Sequence, residues 1–396
     1  MVEEKKILFI ESSPTDMVAK MALSLKSSGY NSSLITITGD TNSPFLKKAY
    51  SSLLTLNFQF IKVSVKRTPQ VIYFLMKQSK IILNCIRKIK QLRPDIIIVR
   101  TPPNWLYFLI KKYFRKVPSV YFPYDIRSFG YENFSELKKA GVPKFEIKAE
   151  AWDYTHADGI IHKGAEYEFD CLNKNLLGNI SISSPVLHYL PYCLAKLNSP
   201  LNKNKLSKKD GEIHFVFAGH ISKEKSWITS AKTVIDQKIH LHVYGKTTNV
   251  SKIDLKSNKD FEVLLKSPYF HVHDPVSQDK LAKELSKYDY GIWLGYYDIN
   301  KYSISLCNGN KLASHMEAGI PTLYYKNHIA IGDLCKKYKA GIPIDIKTDF
   351  KKLLNEQDYK KFEKNILKSR QEYEFGVQVY RLAQFFEEVI KRKNKK

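Results

Sequence analysis

The stretch FVFAGHISKEKSW, residues 215–227, ends an apolar run on Gly219, sets His220 beside it, and brings Lys225 in six residues after the glycine. A glycine at a strand end lets backbone N–H groups approach an anion. The N-terminus of a following helix adds partial positive charge, and Lys225 adds a full one. That is the chemistry of a phosphate site. The same residues would also serve as an ordinary strand-to-helix turn carrying a surface lysine. A second charged feature is larger. Between residues 47 and 116 there are 16 Lys and Arg against one acid, Asp95, so this stretch holds +15 of a net +25. Lys77, Lys80, Arg87, Lys88 and Lys90 lie here on a helical pattern over residues 71–92, beside the apolar Val71, Leu75, Ile82, Ile86 and Ile89. Such a helix could be a solvated face over a core stripe, or could dock on an anionic leaflet.

These residues need elements to hold them, and the chain supplies an alternation of strands and helices. KKILFIESS reads as a buried strand, DMVAKMALSLKSSGY as a helix stopped by Gly29, and SSLITIT as the next strand. DIIIVRT, SVYFPYD and DGIIHKG repeat the strand pattern, with KFEIKAEAWDYTHA and AEYEFDCLNKN as helices between or after them. Residues 196–212 lack large apolar side chains and read as a linker. Alternation then resumes from IHFVFAGH through IPTLYY, and the tail from Asp358 reads as helices with Val379, Leu382, Phe385, Phe386, Val389 and Ile390 on one face. Repeated strand-helix units predict an α/β protein with two doubly wound, Rossmann-like parallel sheets: 1–195, a linker at 196–212, 213–357, and helices over 358–396.

Composition excludes several classes. At 43% hydrophobic and 13% aromatic residues, 396 residues can fill two cores, so wholesale disorder is excluded. The five cysteines, Cys85, Cys171, Cys193, Cys307 and Cys335, never form Cys-x-x-Cys, which argues against a zinc cluster or disulfide framework and for a reducing compartment. The N-terminus lacks the long apolar core of a signal peptide, and no run reaches the roughly 18 to 20 apolar residues of a membrane span. A cytoplasmic protein, either soluble or peripheral at the inner face of a membrane, is expected. Nucleic acid ranks below the membrane as a partner of the basic stretch, because no nucleic-acid motif accompanies it.

Several blocks resemble the retaining GT-B glycosyltransferases of the group 1, family 4-like type. FVFAGHISKEKSW is similar to their Gly-Arg-x-x-x-x-Lys-Gly loop, with His220 where Arg is usual. HLHVYGK, with Gly245, resembles the next strand and glycine, and CNGNKLASHMEAGIPTLYY resembles the donor-binding helix. EIKAEAWDYTHADGIIHKGAEYE and VLHYLPYC resemble segments of the first domain, so the likeness spans nearly the whole chain. It implies two domains facing a cleft, with the helices over 358–396 returning toward the first domain. It also implies a nucleotide-sugar donor held by Gly219, Lys225, Gly245, Asn308, Gly309, Asn310, Lys311, Ser314 and Glu317, and transfer to a glycan or polyprenyl-linked acceptor. Lys225 and His220 would stabilise the leaving diphosphate, Glu317 or Asn310 would orient hydroxyls, and Asp125, with Arg127, would lie on the acceptor side. No cofactor is implied, and no metal, since no Asp-x-Asp occurs.

Two features depart from that pattern. The family's Glu-x7-Glu pair falls on Leu306 and Ser314, leaving Glu317, about one helical turn further on, as the substitute. The Gly-Gly loop after the first strand is replaced by ESSPTDM, whose Ser, Pro and Asp are expected to cap the first helix. Asp158 is expected to be structural, and Trp105, Tyr107 and Phe108 to be at least partly exposed beside the basic stretch. The missing glutamates leave open a catalytically silent scaffold binding membrane, glycan or a partner transferase, and an epimerase of the same architecture.

Overall fold

The computed structural model describes residues 4–39, 41–56, 82–101, 105–123, 135, 144–163, 166–174, 179–189, 204–222, 224–245, 259–295, 297, 310–373 and 375–395. They form two compact units, Met1–Leu190 with Gln378–Lys396, and Pro191–Val377.

Unit 1 is built on a seven-stranded sheet of order β3-β2-β1-β4-β5-β6-β7, parallel throughout. The strands are β1 (Lys5–Glu11), β2 (Tyr30–Thr36), β3 (Ser52–Thr55), β4 (Ile96–Thr101), β5 (Ser119–Pro123), β6 (Gly159–His162) and β7 (Val186–His188). Central strands such as Ile96–Thr101 are buried at every position, as a parallel sheet covered on both faces requires. The helices are α1 (Asp16–Lys26), α2 (Pro44–Ala49), α3 (82–92), α4 (Trp105–Tyr113), α5 (Lys144–His156) and α6 (Glu166–Leu172). The α2–β3 pair was not anticipated: β3 is a four-residue edge strand whose alternation is too short to register.

The second part of the C-terminal helix belongs to unit 1. Its Phe385, Phe386 and Val389 are buried, and Gly159 lets it close in: a Cβ there would meet Val389 at 2.5 Å and Phe385 at 2.9 Å. Asp158 anchors the helix end. Its carboxylate accepts from Ser119 N at 3.0 Å and pairs with Lys111 at 2.6 Å and Lys393 at 3.1 Å, which is the structural role expected of it.

Unit 2 carries a six-stranded parallel sheet of order β10-β9-β8-β11-β12-β13. Its strands are β8 (His214–Ala218), β9 (His240–Tyr244), β10 (Phe270–His273), β11 (Tyr290–Ile292), β12 (Thr322–Tyr325) and β13 (Gly341–Ile344). The helices are α7 (Ser207–Asp210), α8 (Lys225–Ile235), α9 (Lys259–Lys266), α10 (Gln278–Leu285), α11 (Asn310–Ala318), α12 (Ile329–Tyr338), α13 (Phe350–Asn355), α14 (Tyr359–Arg370) and α15 (Phe375–Asn394), the last reaching into unit 1. Phe215, Phe217, Trp227, Leu241, Phe261 and Phe350 form one side of the core.

Of the stretch read as linker, residues 204–212 are described. Lys205 Nζ donates to Tyr288 O at 2.8 Å, and Ser207 Oγ donates to Asp289 at 2.5 Å, so α7 is part of unit 2. Polar side chains fix it there, which is why composition alone suggested a linker.

Candidate functional site

In unit 2 the ends of β8 and β9 meet at two glycines. Gly219 N donates to Tyr244 O at 2.8 Å, and the backbones come so close that a Cβ on Gly245 would lie 1.9 Å from Gly219 O. No side chain fits at Gly245. Six residues after Gly219, α8 begins at Lys225, an exposed side chain in a first turn without acids, although the N-cap is Glu224. His220 is also exposed.

From α11 a second lysine reaches the same place. A Cβ on Gly219 would be 2.8 Å from Lys311 Cε, and Lys311 Nζ stands 4.7 Å from the Trp293 ring centroid and 5.4 Å from that of Phe217. Indole and phenyl faces attract a cation, which holds the ammonium over the ends of β8 and β11. Its charge is felt beneath. Burial first, and Lys311 second, push His315 down to about 3 and His328 down to about 4, so both rings are neutral at pH 7. His315 Nδ1 lies 3.1 Å from Thr322 Oγ1, and its ring occupies the space a side chain on Gly291 would need. Trp293 and His328 carried no signal in the sequence; they are recognised only once Lys311 is seen over the indole.

The structure thus brings Gly219, Gly245 and Lys311 together and sets Lys225 at the start of the helix that follows. Asn310 is exposed as the first residue of α11, and Ser314 Oγ donates back to Asn310 O at 3.2 Å. Glu317, on the same helix, is only 2% exposed. Asn308, Gly309, Asp125 and Arg127 lie outside the described residues.

The matching turn of unit 1 differs from expectation. Thr15, and not Ser, Pro or Asp, is the N-cap of α1, and its side chain makes no cap bond. Thr15 Oγ1 donates instead to Glu11 at 2.8 Å, because Glu11 is buried at the end of β1 and needs donors. Arg100, on β4, lies 3.6 Å from the same carboxylate and donates to Ser13 O at 3.3 Å. Burial pushes the Glu11 carboxyl up to about 7, against the pull of Arg100.

Of the aromatics expected near the surface, Tyr107 is fully buried, its hydroxyl 3.0 Å from Ser119 O, while Phe108 is 41% exposed. The Trp105 side chain lies outside the described residues. Among the described residues no group of three or more His, Cys, Asp or Glu is arranged to hold a metal ion, and no helix is long and apolar enough to cross a membrane.

Sucrose-phosphate synthase from Thermosynechococcus elongatus superposes with a TM-score of 0.69, over 98% of this chain and 100% of that one, at 11% identity. Anabaena HepE, solved with UDP and glucose, superposes with a TM-score of 0.67 over 97% and 99% at 13% identity. The chain has the GT-B fold. The lipopolysaccharide outer core galactosyltransferase WaaB shares this GT-B architecture, with a TM-score of 0.56 over 98% and 99% at 13% identity. No protein-family model and no curated protein sequence matches the chain. At these identities the likeness is one of fold.

Proposed function

We propose that the protein is a glycosyltransferase that moves a sugar from a nucleotide-sugar donor to a glycan or lipid-linked acceptor, with retention and without a metal. The observation that carries this reading is the approach of Lys311 to Gly219, where Gly245 keeps the backbone bare. A diphosphate there meets backbone N–H groups, the N-terminus of α8, and the charges of Lys225 and Lys311. Those groups stabilise the charge that develops as the nucleoside diphosphate departs. His220 would add a further donor from the same turn. Asn310, exposed at the start of α11, is better placed for ribose or sugar hydroxyls than the enclosed Glu317. That HepE was solved with UDP and glucose supports the donor class.

Unit 1 is assigned the acceptor. Its α3 exposes Leu83, Arg87 and Lys90, and α4 with the turn after it exposes Phe108, Lys112, Tyr113, Arg115 and Lys116. Basic and apolar side chains mixed in this way suit an anionic leaflet, where a lipid-linked acceptor would be met.

The deciding experiment is a thermal-shift screen with UDP, GDP, ADP and CMP, followed by incubation with the sugar nucleotides of whichever base binds. Stabilisation by one nucleotide, with release of the diphosphate and an acceptor product whose anomeric configuration matches the donor, is the expected result. Binding without turnover would turn the reading to a silent scaffold, and inversion at the anomeric carbon would remove retention. Failure of all four nucleotides to raise the melting temperature would remove the donor site altogether.

A further inference from the structure

Five histidines share one face of the unit 2 sheet. The register sets His214 on β8 opposite His240 on β9, and His242 on β9 opposite His271 on β10, while strand alternation puts His240 with His242 and His271 with His273. Their rings form two hydrogen-bonded rows. In the first, Asp210 Oδ2 lies 3.0 Å from His214 Nε2, His214 Nδ1 lies 3.0 Å from His242 Nε2, and His242 Nδ1 lies 2.9 Å from His273 Nε2. In the second, Glu212 Oε2 lies 2.9 Å from His240 Nε2, and His240 Nδ1 lies 2.8 Å from His271 Nε2. The rows stack on each other, His214 on His240 at 4.6 Å and His242 on His271 at 4.4 Å between ring centroids.

The carboxylates set the direction of both rows. An ionised carboxylate only accepts, so Nε2 of His214 and of His240 carries the proton. A neutral ring then accepts at Nδ1, and His242, His271 and His273 in turn donate from Nε2. Every bond in the two rows is made with all five rings neutral. A further proton on His242 would force His273 into its other tautomer and stack a cation on the His271 ring, where burial already penalises charge.

Asp210 and Glu212 touch only His214 and His240, and the other charges around the rows do not offset the burial of His242, His271 and His273. Glu284, on α10, accepts from the Tyr244 hydroxyl at 2.8 Å and pairs with Lys287 at 2.6 Å. Asp289 accepts from the His214 backbone N–H at 2.9 Å. Asp274 and Glu284 favour charge on His273, and Lys287 opposes it. Other neighbours on this face are Tyr244, Tyr269, Tyr288, Leu281 and Leu285. Burial, with the adjoining rings, holds His242 down to about 2 and His271 below the ordinary histidine range, and burial does the same to His273.

We propose that the two histidine rows are a pH-sensitive latch on the β9–β10 edge of unit 2: neutral, they hold the edge closed, and acid opens it. In the opened edge His242, His271 and His273 take up protons below about pH 6.5, while the closed rows keep these three rings neutral. Closure is therefore favoured at neutral pH and loses ground as the pH falls, by about tenfold in open population per excluded proton per pH unit. The β9 strand leads directly into Gly245. If the donor reading above is right, on which only this last link rests, opening the edge also releases the donor.

Hydrogen exchange of the full chain tests the latch without any substrate. After correction for the intrinsic pH dependence of exchange, opening of peptides covering 240–244 and 270–273 is expected to rise at least tenfold from pH 7.5 to 5.5. Opening of β1 and β2 is expected to change less than threefold. Replacing the two partly exposed edge histidines, His271→Gln with His273→Gln, should cut the pH response of the edge at least threefold. If that variant is unstable at pH 7.5, the wild-type comparison decides alone. Equal protection of the edge at both pH values, or a folded variant that keeps the full response, would overturn the proposal.

Discussion

The first strand of each unit ends in a turn that feeds a helix, and the two turns are made of opposite chemistry. In unit 1, β1 ends on Glu11, a buried carboxylate held by Thr15 and Arg100, and the first turn of α1 contains Asp16. In unit 2, β8 runs into Gly219, packed on Gly245, with Lys225 opening α8 and Lys311 arriving from α11. The topology is shared, yet the first turn has already filled its helix N-terminus with acid, and the second has kept the backbone bare beside two lysines. A Rossmann-like turn therefore does not by itself make a phosphate site. What decides is whether the residues at the strand end and in the first turn of the helix take up the space and supply their own negative charge.

The largest expected effect tests the division of labour between the units. Basic residues near an anionic surface contribute about 1 kcal/mol each, so reversing Arg87, Lys90, Lys112 and Arg115 to Glu should remove at least about 4 kcal/mol of vesicle binding, roughly a thousandfold. Sedimentation with anionic vesicles should show that loss, wild-type binding should weaken with salt, and UDP or GDP affinity should not move. Co-sedimentation equal to wild type would make the basic surface of unit 1 a solvated face.

Next comes the contact that keeps the unit 2 turn bare. Gly245→Ala forces a methyl group against Gly219 O, where backbone and not a flexible side chain must yield. A cost of about 3 kcal/mol in unit 2 stability is expected, with nucleotide binding lost, measured by denaturant unfolding and titration. The equivalent insult in unit 1 has no counterpart, since no glycine ends β1.

The unit 1 turn should respond to pH instead. Glu11 is held at about 7 against the ordinary glutamate value of 4.5, so the folded state keeps a proton that the unfolded chain releases. Stability from this group is present in full below pH 4.5 and lost as the pH rises through 7, about 3 kcal/mol in all. Glu11→Gln should match wild type near pH 4 and be more stable at pH 8. Equal stability of the two proteins at pH 8 would mean that Arg100 stabilises the ionised carboxylate more than its burial costs. The histidine rows of unit 2 act in the reverse direction, losing stability as the pH falls below about 6.5. The two units should accordingly show opposite pH slopes.

Much of this was legible in the residues. Apolar runs bounded by Gly and Pro gave β1, β2, β4, β5, β6, β8, β9 and β12, because buried parallel strands leave a dense, short signal. The short edge pieces α2 and β3 were not legible, nor were α4, α9 and α12, whose periodicity was interrupted or passed over. Within the site, the types and spacing of Gly219, Lys225 and Gly245 could be read directly. That Lys311 reaches Gly219 could not, since 92 residues separate them and only the strand order β9-β8-β11 brings α11 across. The histidine rows are invisible as a group for the same reason. His-x-His occurs twice, in HLHVYG and FHVH, but the sheet register is what stacks the two pairs.

Lys311 and Lys225 should then differ in weight. A charge-assisted contact is worth about 1.5 to 3 kcal/mol. Lys311→Ala, which removes an ammonium seated between Trp293 and Phe217, should weaken nucleotide binding by about 10- to 100-fold. The exposed Lys225, with Glu224 beside it, should fall at the lower end of that range. Isothermal titration of both variants ranks them, and Lys225→Ala with unchanged affinity would move the diphosphate toward α11.

The smallest effect is expected at Gly219 itself, and it separates bare backbone from mere proximity. A methyl group there meets Lys311 Cε at 2.8 Å and the Phe217 ring at 3.3 Å, and the first of these is the far end of a flexible side chain that can swing aside. Gly219→Ala should therefore leave unit 2 folded. It should cost nucleotide binding less than about 1 kcal/mol through the displaced ammonium alone, since a buried rotamer change is of that size. If the backbone N–H groups at this turn also hold the phosphate, the methyl group obstructs them too, and the loss should approach that of Lys311→Ala. The double variant distinguishes the cases: a loss no greater than that of Lys311→Ala means that Gly219 acts only by giving Lys311 its place, whereas additive losses mean that the bare backbone itself binds the anion.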